Sequence, residues 1–326
     1  MTDVMDKNTA LKSALEKIRQ VVPEELIREN EPMSSHTSFR IGGPAGALIT
    51  PENEEELAAV LRVCAAEPGL EYMLIGNGSN FLVADEGYPG IFIKLGGDFA
   101  SVSVEKENAG ENSEYTLVRA GAAKLLSSVS AFLTERGLAG FEFASGIPGS
   151  IGGAMFMNAG AYGGEMKDLV VSVRLMRPDG SEIIELSGEE MQFGYRHSMV
   201  EESGMIVLSA LLCLRHDDKD AIAARVKELQ EKRNAKQPVN YPSAGSTFKR
   251  PAGGYAAALI DEAGLKGYRV GGAMVSEKHA GFVINAGGAT AEDVLAVMRH
   301  VRRAVYENSG ITLEPEVRLI GCSLQE

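Results

Sequence analysis

The sequence predicts a mixed α+β protein of more than one subdomain, and three observations carry that reading. Helical and strand-like segments are interleaved without an even strand–helix alternation, which points to several small sheets rather than one parallel sheet. The chain has 326 residues and 44% hydrophobic content, more than one core usually absorbs, so two or three subdomains are expected. Its 37 glycines are clustered, as tight turns and close backbone approach to a ligand require.

The elements follow in order. Leu11, Leu15, Ile18 and Val22 recur at helical spacing, with Pro23 as the stop. Leu57, Val60, Leu61 and Cys64 form a second helical stripe. A strand over Tyr72–Ile75 enters the turn Gly76-Asn77-Gly78-Ser79-Asn80, and short strands follow near Ile91–Leu95, Val102–Val104 and Tyr115–Arg119. Leu125, Leu126, Val129, Phe132 and Leu133 make a helix closed by Gly137. Ala144–Gly164 reads as glycine-rich and irregular, and Leu169–Met176 with Glu182–Leu186 as a hairpin around Pro178-Asp179-Gly180. A third region begins near Asp217, with a helix through Ile222, Val226 and Leu229 and a loop from Lys236 to Ser246. Helices over Tyr255–Ala263 and Ala291–Glu307 and a last strand over Leu313–Ile320 complete it.

Composition excludes several function classes. A formal net charge of −13 argues against a nucleic-acid binder, which needs a basic face. Arg225–Arg250 departs from that average, with seven basic residues against Glu228 and Glu231. It reads either as a solvated helix face or as a basic patch for a small anionic ligand. Cys64, Cys213 and Cys322 lie far apart without a CxxC pair, so neither a zinc site nor a disulfide framework is expected. The N-terminal stretch carries acids and lacks an apolar signal core. The apolar run Ile206–Leu214 is too short to cross a bilayer, so a cytoplasmic location without membrane insertion is expected. No GxGxxG follows a strand, Gly-Lys never occurs and HExxH is missing, so Rossmann, P-loop and zincin chemistry are not supported. No metal site is expected.

Five segments carry positive signals. The turn Gly76, Asn77, Gly78, Ser79 and Asn80 has alternate glycines that let backbone N–H groups converge on a pyrophosphate, although a plain hairpin turn explains it equally well. The loop through Gly146, Ile147, Pro148, Gly149, Ser150, Gly152 and Gly153, continuing through Asn158, Ala159 and Gly160, lets backbone lie flat against a large planar ligand. Ile147, Ile151, Met155 and Phe156 make it too apolar for a flexible linker. The remaining three are Gly194-Tyr195-Arg196-His197-Ser198, Ser243-Ala244-Gly245-Ser246-Thr247-Phe248-Lys249-Arg250-Pro251 and Leu313-Glu314-Pro315-Glu316-Val317-Arg318-Leu319-Ile320. Each alone has a plain structural explanation: a surface ion pair for Arg196, a helix N-cap for Ser246, an exposed strand face for Glu316.

Together, and in this order from the His36–Ala45 stretch HTSFRIGGPA onward, the segments resemble the UDP-N-acetylenolpyruvoylglucosamine reductase family over nearly the whole chain. The resemblance implies a vanillyl-alcohol-oxidase-like FAD-binding fold of two α+β subdomains plus a smaller α+β substrate domain. The implied limits are 1–68 with the C-terminal strand 312–326, 69–216, and 217–311. It implies noncovalent FAD, with Gly76–Asn80 at the pyrophosphate and the Gly146–Gly153 and Asn158–Gly163 segments along the flavin and adenosine. It further implies NADPH as hydride donor and UDP-N-acetylglucosamine enolpyruvate as acceptor at C3, the product being UDP-N-acetylmuramate for peptidoglycan.

By the same resemblance Arg196 polarises the substrate carboxylate, Ser246 protonates C2, and Glu316 is the catalytic glutamate beside the substrate. Lys236 binds the nucleotide portion and Tyr195 flanks that pocket. Two departures matter. Arg250 stands where some members carry Asn, so that Asn's role is not transferred. The run from Cys213-Leu214 into Asp218 lacks the tyrosine-bearing insertion of some members, leaving Arg318 as the residue expected to compensate. A monomer is expected. The competing readings are a flavin oxidase of the same fold acting on an alcohol or sugar, which would use oxygen and ignore NADPH, and a nucleotide-sugar binding protein without a yellow cofactor.

Overall fold

The chain folds as two units, each assembled from separated segments. The computed structural model describes residues 2–110 and 114–325. Met1 and Glu326, which bound the first implied subdomain, lie outside the described residues. The first unit comprises Met1–Arg28, Ala47–Asn77 and Gly90–Lys232, and the second Glu29–Gly46, Gly78–Pro89 and Arg233–Glu326.

In the first unit an antiparallel sheet runs in the order Ile183–Ser187, Val170–Met176, Ile206–His216, Tyr115–Gly121, Val102–Ala109, with Leu138–Ala139 added beside His216. Ile206–His216 is its centre, and its first seven residues are all buried. That explains an apolar run, interrupted only by Ser209, where a half-exposed strand would alternate. The run that is too short for a bilayer is therefore the spine of the sheet. Helices Leu126–Glu135 and Ile151–Met157 pack beside it through Leu126, Val129, Ile151 and Met155. A second core joins helices Thr2–Ile18 and Glu54–Ala66 to parallel strands Tyr72–Leu74 and Tyr88–Ile93, through Leu15, Ile18, Leu57, Leu61, Ile91 and Ile93. Asn53 starts the second of these helices by accepting from Glu56 N–H at 2.9 Å, with three glutamates in the first turn favoured by the helix dipole.

The second unit is organised by helix Ala291–Ser309, which lays Val294, Met298, Val301 and Val305 on the small antiparallel sheet Arg269–Val270, Ala273–Val275, Val283–Asn285. Its start is fixed twice. Thr290 and Asp293 form a reciprocal capping box, and Asp85, 206 residues upstream of Ala291, accepts from Ala291 N–H at 2.8 Å and from Glu292 N–H at 3.1 Å. Gly310, at φ 70°, ends it. Phe81–Val83 pairs in parallel with Arg318–Ile320.

Mixed helices and several sheets match the predicted α+β class. Three local expectations change. Ala144–Gly164 is not irregular throughout: Ile151–Met157 is helical despite Gly152 and Gly153, because Ile151, Ala154 and Met155 bury one face in the sheet core. The last strand is Arg318–Ile320 rather than Leu313–Ile320, since Pro315 interrupts the ladder and 313–317 keep a single bridge, Phe248 to Pro315. The first helix stops at Ile18, and Val22 reaches the core from the following turn.

Candidate active site

Within the first unit a pocket opens at the end of strand Tyr72–Leu74. Gly76, Asn77, Ser150, Gly152 and Gly153 from the two predicted glycine segments line it. Leu74, Leu95, Phe156 and Val207 give it apolar walls. The two segments are joined directly, Asn77 Nδ2 donating to Pro148 O at 2.7 Å. The Gly149–Gly152 backbone is seated on the Ala122–Leu126 segment, Leu126 N–H donating to Gly149 O at 3.0 Å and Gly152 N–H to Ala122 O at 2.8 Å. A Cβ at Gly76 would lie 2.7 Å from Ser150 Oγ, so glycine keeps this wall open.

Ser150 is 3% exposed, and among the described residues its hydroxyl is the buried side-chain group without a hydrogen-bond partner. An unpaired buried hydroxyl costs about 1–3 kcal/mol and asks for a partner. A pocket with glycine and apolar walls, lined also by Ser150 with its unpartnered hydroxyl, fits a cofactor that combines phosphates with flat apolar rings, so FAD fits the residues present. Lys94 also lines the pocket, and burial, then the Arg28 guanidinium, holds its ammonium below the usual lysine range. No sequence pattern marks Lys94, Ala122, Ala123 or the Val200–Val207 wall, because ordinary apolar residues there become pocket walls only when the sheet forms.

Asn158, Ala159 and Gly160 do not line this pocket. Asn158 ends helix Ile151–Met157 in the left-handed region at φ 43° and is 2% exposed. Its carboxamide donates to Glu165 Oε2 at 2.9 Å and Gly194 O at 3.0 Å, and accepts from Lys167 N–H at 3.0 Å. Ala159 N–H donates to Ala154 O, and Gly160 pairs with Glu165 in a two-residue ladder.

Through that carboxamide, Asn158 holds the turn that presents Tyr195 and Arg196. Gly194 and His197 bridge its ends, and Ser198, fully buried, donates to Phe156 O at 2.9 Å. Tyr195 is exposed, and the Arg196 guanidinium lies 5.4 Å from its ring centre. Arg196 sits at φ 54°, a conformation that costs a non-glycine residue on the order of 1–3 kcal/mol and gathers at functional sites.

Gly146 and Ile147 precede the seated backbone, Ile147 packing on the sheet core and donating its N–H to Ala144 O at 3.0 Å.

In the second unit the structure brings Ser246 and Glu316 onto adjoining backbone. Thr247, 1% exposed, accepts from Glu316 N–H at 2.9 Å, and Lys249 N–H donates to Glu314 O at 2.8 Å. Asn80 Nδ2 donates to Glu316 O at 3.0 Å, and Asn80 O accepts from Arg318 N–H at 2.9 Å. The Arg318 guanidinium lies 5.6 Å from the Phe81 ring centre. Gly78, at φ 61°, packs so tightly that a Cβ there would meet His36 O at 1.9 Å; Ser79 beside it is partly buried. Lys236 is exposed at the end of helix Lys219–Lys236. On that helix Lys227 and Lys232 pair with Glu231 and Glu228 one turn away, and Arg225 bonds Glu142 and Asp217. Those three cations belong to a solvated, ion-paired face. Arg250 instead lies over the exposed Tyr255 ring at 4.0 Å.

Among the described residues no group of His, Cys, Asp and Glu is arranged to hold a metal, and no helix is long and apolar enough to cross a membrane. The three cysteines are free thiols, with burial pushing Cys64 up to about 12.

Residues 237–320 match the family described as UDP-N-acetylenolpyruvoylglucosamine reductase, C-terminal domain, and residues 45–187 match the FAD binding domain family. The UDP-N-acetylenolpyruvoylglucosamine reductase of Lachnoclostridium phytofermentans is 48% identical over 307 residues, covering 94% of this chain and 97% of the relative. That of Clostridioides difficile is 48% identical over 301 residues, covering 92% and 95%. The crystal structure of UDP-N-acetylenolpyruvylglucosamine reductase from Thermus caldophilus is 38% identical and covers 90% of this chain and 99% of its own, with a TM-score of 0.75.

Proposed function

The chain belongs to the UDP-N-acetylenolpyruvoylglucosamine reductase family, and on that premise we propose how its own residues carry the family's reaction. It is an FAD-dependent oxidoreductase that uses NADPH to reduce UDP-N-acetylglucosamine enolpyruvate to UDP-N-acetylmuramate in peptidoglycan synthesis. The observation that carries the cofactor assignment is the glycine-walled pocket lined by Ser150, whose buried hydroxyl has no protein partner. FAD held there would supply two-electron hydride chemistry between NADPH and the substrate's C3.

The protein's part is to hold the cofactor, balance charge and place a proton. Gly76, Asn77, Ser150, Gly152 and Gly153 hold FAD, joined by Gly78, Ser79 and Asn80 on the turn and by Gly146–Gly149 and Asn158–Gly160 along the second segment. Arg196 pairs with the substrate carboxylate, into which charge spreads as C3 is reduced; a planar guanidinium matches both oxygens. Ser246 Oγ delivers the proton to C2, a transfer that depends on placement more than on acidity. Glu316 stands beside it as the second catalytic group, and the bond from Glu316 N–H to Thr247 O, one residue past Ser246, supports a joint role. Tyr195, Lys236 and Arg318 receive the UDP-sugar, Arg318 serving in place of the tyrosine-bearing insertion.

Functionally the chain divides into FAD-binding parts at 1–68 with 312–326 and at 69–216, and a substrate part at 217–311; this division is one of ligand-binding work and does not follow the two packing units. The enzyme acts as a cytoplasmic monomer, and its product ties it to cell wall biogenesis, cell shape, cell division and the cell cycle.

The purified protein is expected to be yellow and to release FAD intact on denaturation. A colourless preparation that also takes up no added FAD contradicts the assignment.

A further inference from the structure

The His36–Arg40 loop has no role in the reaction described above, yet it is heavily anchored. Thr37 Oγ1 donates to Ile41 O at 2.9 Å, Arg40 N–H donates to Thr37 O at 3.1 Å, and Asn285 Nδ2 donates to Phe39 O at 3.2 Å. Arg40 holds φ 55°, a conformation that persists only where its surroundings fix it. Ser38 sits at the centre of this loop. Its N–H donates to Gly78 O at 3.1 Å, and its hydroxyl donates to Ser243 O at 2.6 Å.

Ser243 opens the segment that ends in Ser246. Beyond Ser246, Thr247 is tied on three sides: its N–H donates to Gly281 O, its Oγ1 accepts from Val283 N–H, and its carbonyl accepts from Glu316 N–H, all at 2.9 Å. Between the two anchors lies Gly245, at φ 77°, where an added Cβ would meet nothing within 4 Å. Ala244 is packed in the core, and the glycine kink in open space beyond it leaves Gly245–Ser246 free to swing unless both ends are held. The downstream end is held by Thr247. The upstream end is held by the Ser243–Ile284 bridge and by the Ser38 hydroxyl.

These bonds close a ring: Ser38 to Gly78, along the turn to Asn80, from Asn80 to Glu316, from Glu316 to Thr247, and back through Ser243 to Ser38. We propose that Ser38 is a positioning residue that sets the Ser246 hydroxyl by fixing the upstream end of its loop. The inference rests on the reading of Ser246 as proton donor. Replacing Ser38 by Ala removes only the hydroxyl bonds; the N–H bond to Gly78 remains, so the turn stays attached.

The test is anaerobic stopped-flow on holoenzyme, timing reduction by NADPH and then reoxidation by UDP-N-acetylglucosamine enolpyruvate, for wild type, Ser38→Ala, Ser246→Ala and the double variant. Ser38→Ala is expected to leave the NADPH step, FAD retention and melting temperature near wild type and to slow the sugar step about tenfold, less than the roughly 10²-fold that a 1 Å misplacement can cost. Ser38→Thr, which keeps a hydroxyl, is expected to restore the rate, and Ser38→Cys, a weaker donor, to fall between. Because Ser38 acts through Ser246, its loss is expected to add nothing in the Ser246→Ala background. An unslowed sugar step, equal slowing of both steps, or the same tenfold loss in both backgrounds overturns the proposal while leaving Ser246 in place. A Ser246→Ala enzyme with a normal sugar step overturns the Ser246 reading and this proposal with it. If Ser38→Ala does not fold, the Thr and Cys rates decide: Cys equal to wild type, or Thr as slow as Cys, overturns it.

Discussion

Ser246→Ala is expected to leave reduction by NADPH nearly intact and to slow reoxidation by the enolpyruvyl sugar roughly 10²–10⁴-fold, the usual scale for a positioned general acid. The separation follows from the chemistry: a proton is required at C2 only after hydride reaches C3, so its donor has no task while NADPH is the reactant. The structure also removes the plainest competing role. Ser246 caps no helix, since the next one begins at Ala256, and the segment around it is held by bonds to Gly281, Ile284 and Glu316. Losing a cap would cost about 1 kcal/mol of stability and slow both steps alike. Two single-turnover rates and a melting temperature make the measurement. Equal slowing of both steps, or an unslowed sugar step, rejects Ser246 as the donor.

Arg196→Ala is expected to lower turnover of the enolpyruvyl substrate by roughly 10²–10³, about 2.7–4 kcal/mol, as when a group matched to developing negative charge is removed. Arg196 stands at the tip of the Gly194–His197 turn with strained backbone, beside exposed Tyr195. Alanine leaves that backbone strain in place and removes the guanidinium, so the loss reports the side chain. Arg196→Lys keeps the charge but not the planar fork and is expected to recover only part of the rate. Turnover equal to wild type in Arg196→Ala would return this residue to the role of a surface cation.

What the sequence makes legible here follows the physics of each segment. Long amphipathic helices were readable because apolar spacing and stop signals agree: Val294, Met298, Val301 and Val305 all point into the core, and Gly310 ends the helix just past the predicted limit. The pocket-lining part of the glycine segments was readable because so many small residues pack poorly as ordinary core. Harder to read were features that only tertiary contact creates. Ile206–His216 carries no alternation because both faces are buried. Strands of two or three residues over 269–285 fall below what periodicity can resolve. Asp85 gives no local sign that it caps a helix 206 residues away. The same holds in the site. The pocket's glycines were visible, whereas Lys94 and the Val200–Val207 wall were not, and Ser38 gains its bond to Ser243 across 205 residues. Asn158 was legible as a special position, but its carboxamide works on Glu165, Lys167 and Gly194, where it shapes the turn bearing Arg196.

The central claim is that this chain carries reducing equivalents from NADPH to an enolpyruvyl UDP-sugar through bound FAD, and an anaerobic absorbance titration tests it most directly. NADPH added to the yellow protein is expected to bleach the flavin band, and UDP-N-acetylglucosamine enolpyruvate to restore it without oxygen. A flavin that ignores NADPH, is bleached instead by an alcohol or free sugar, and recovers only when air is admitted would contradict the account and mark the protein as an oxidase.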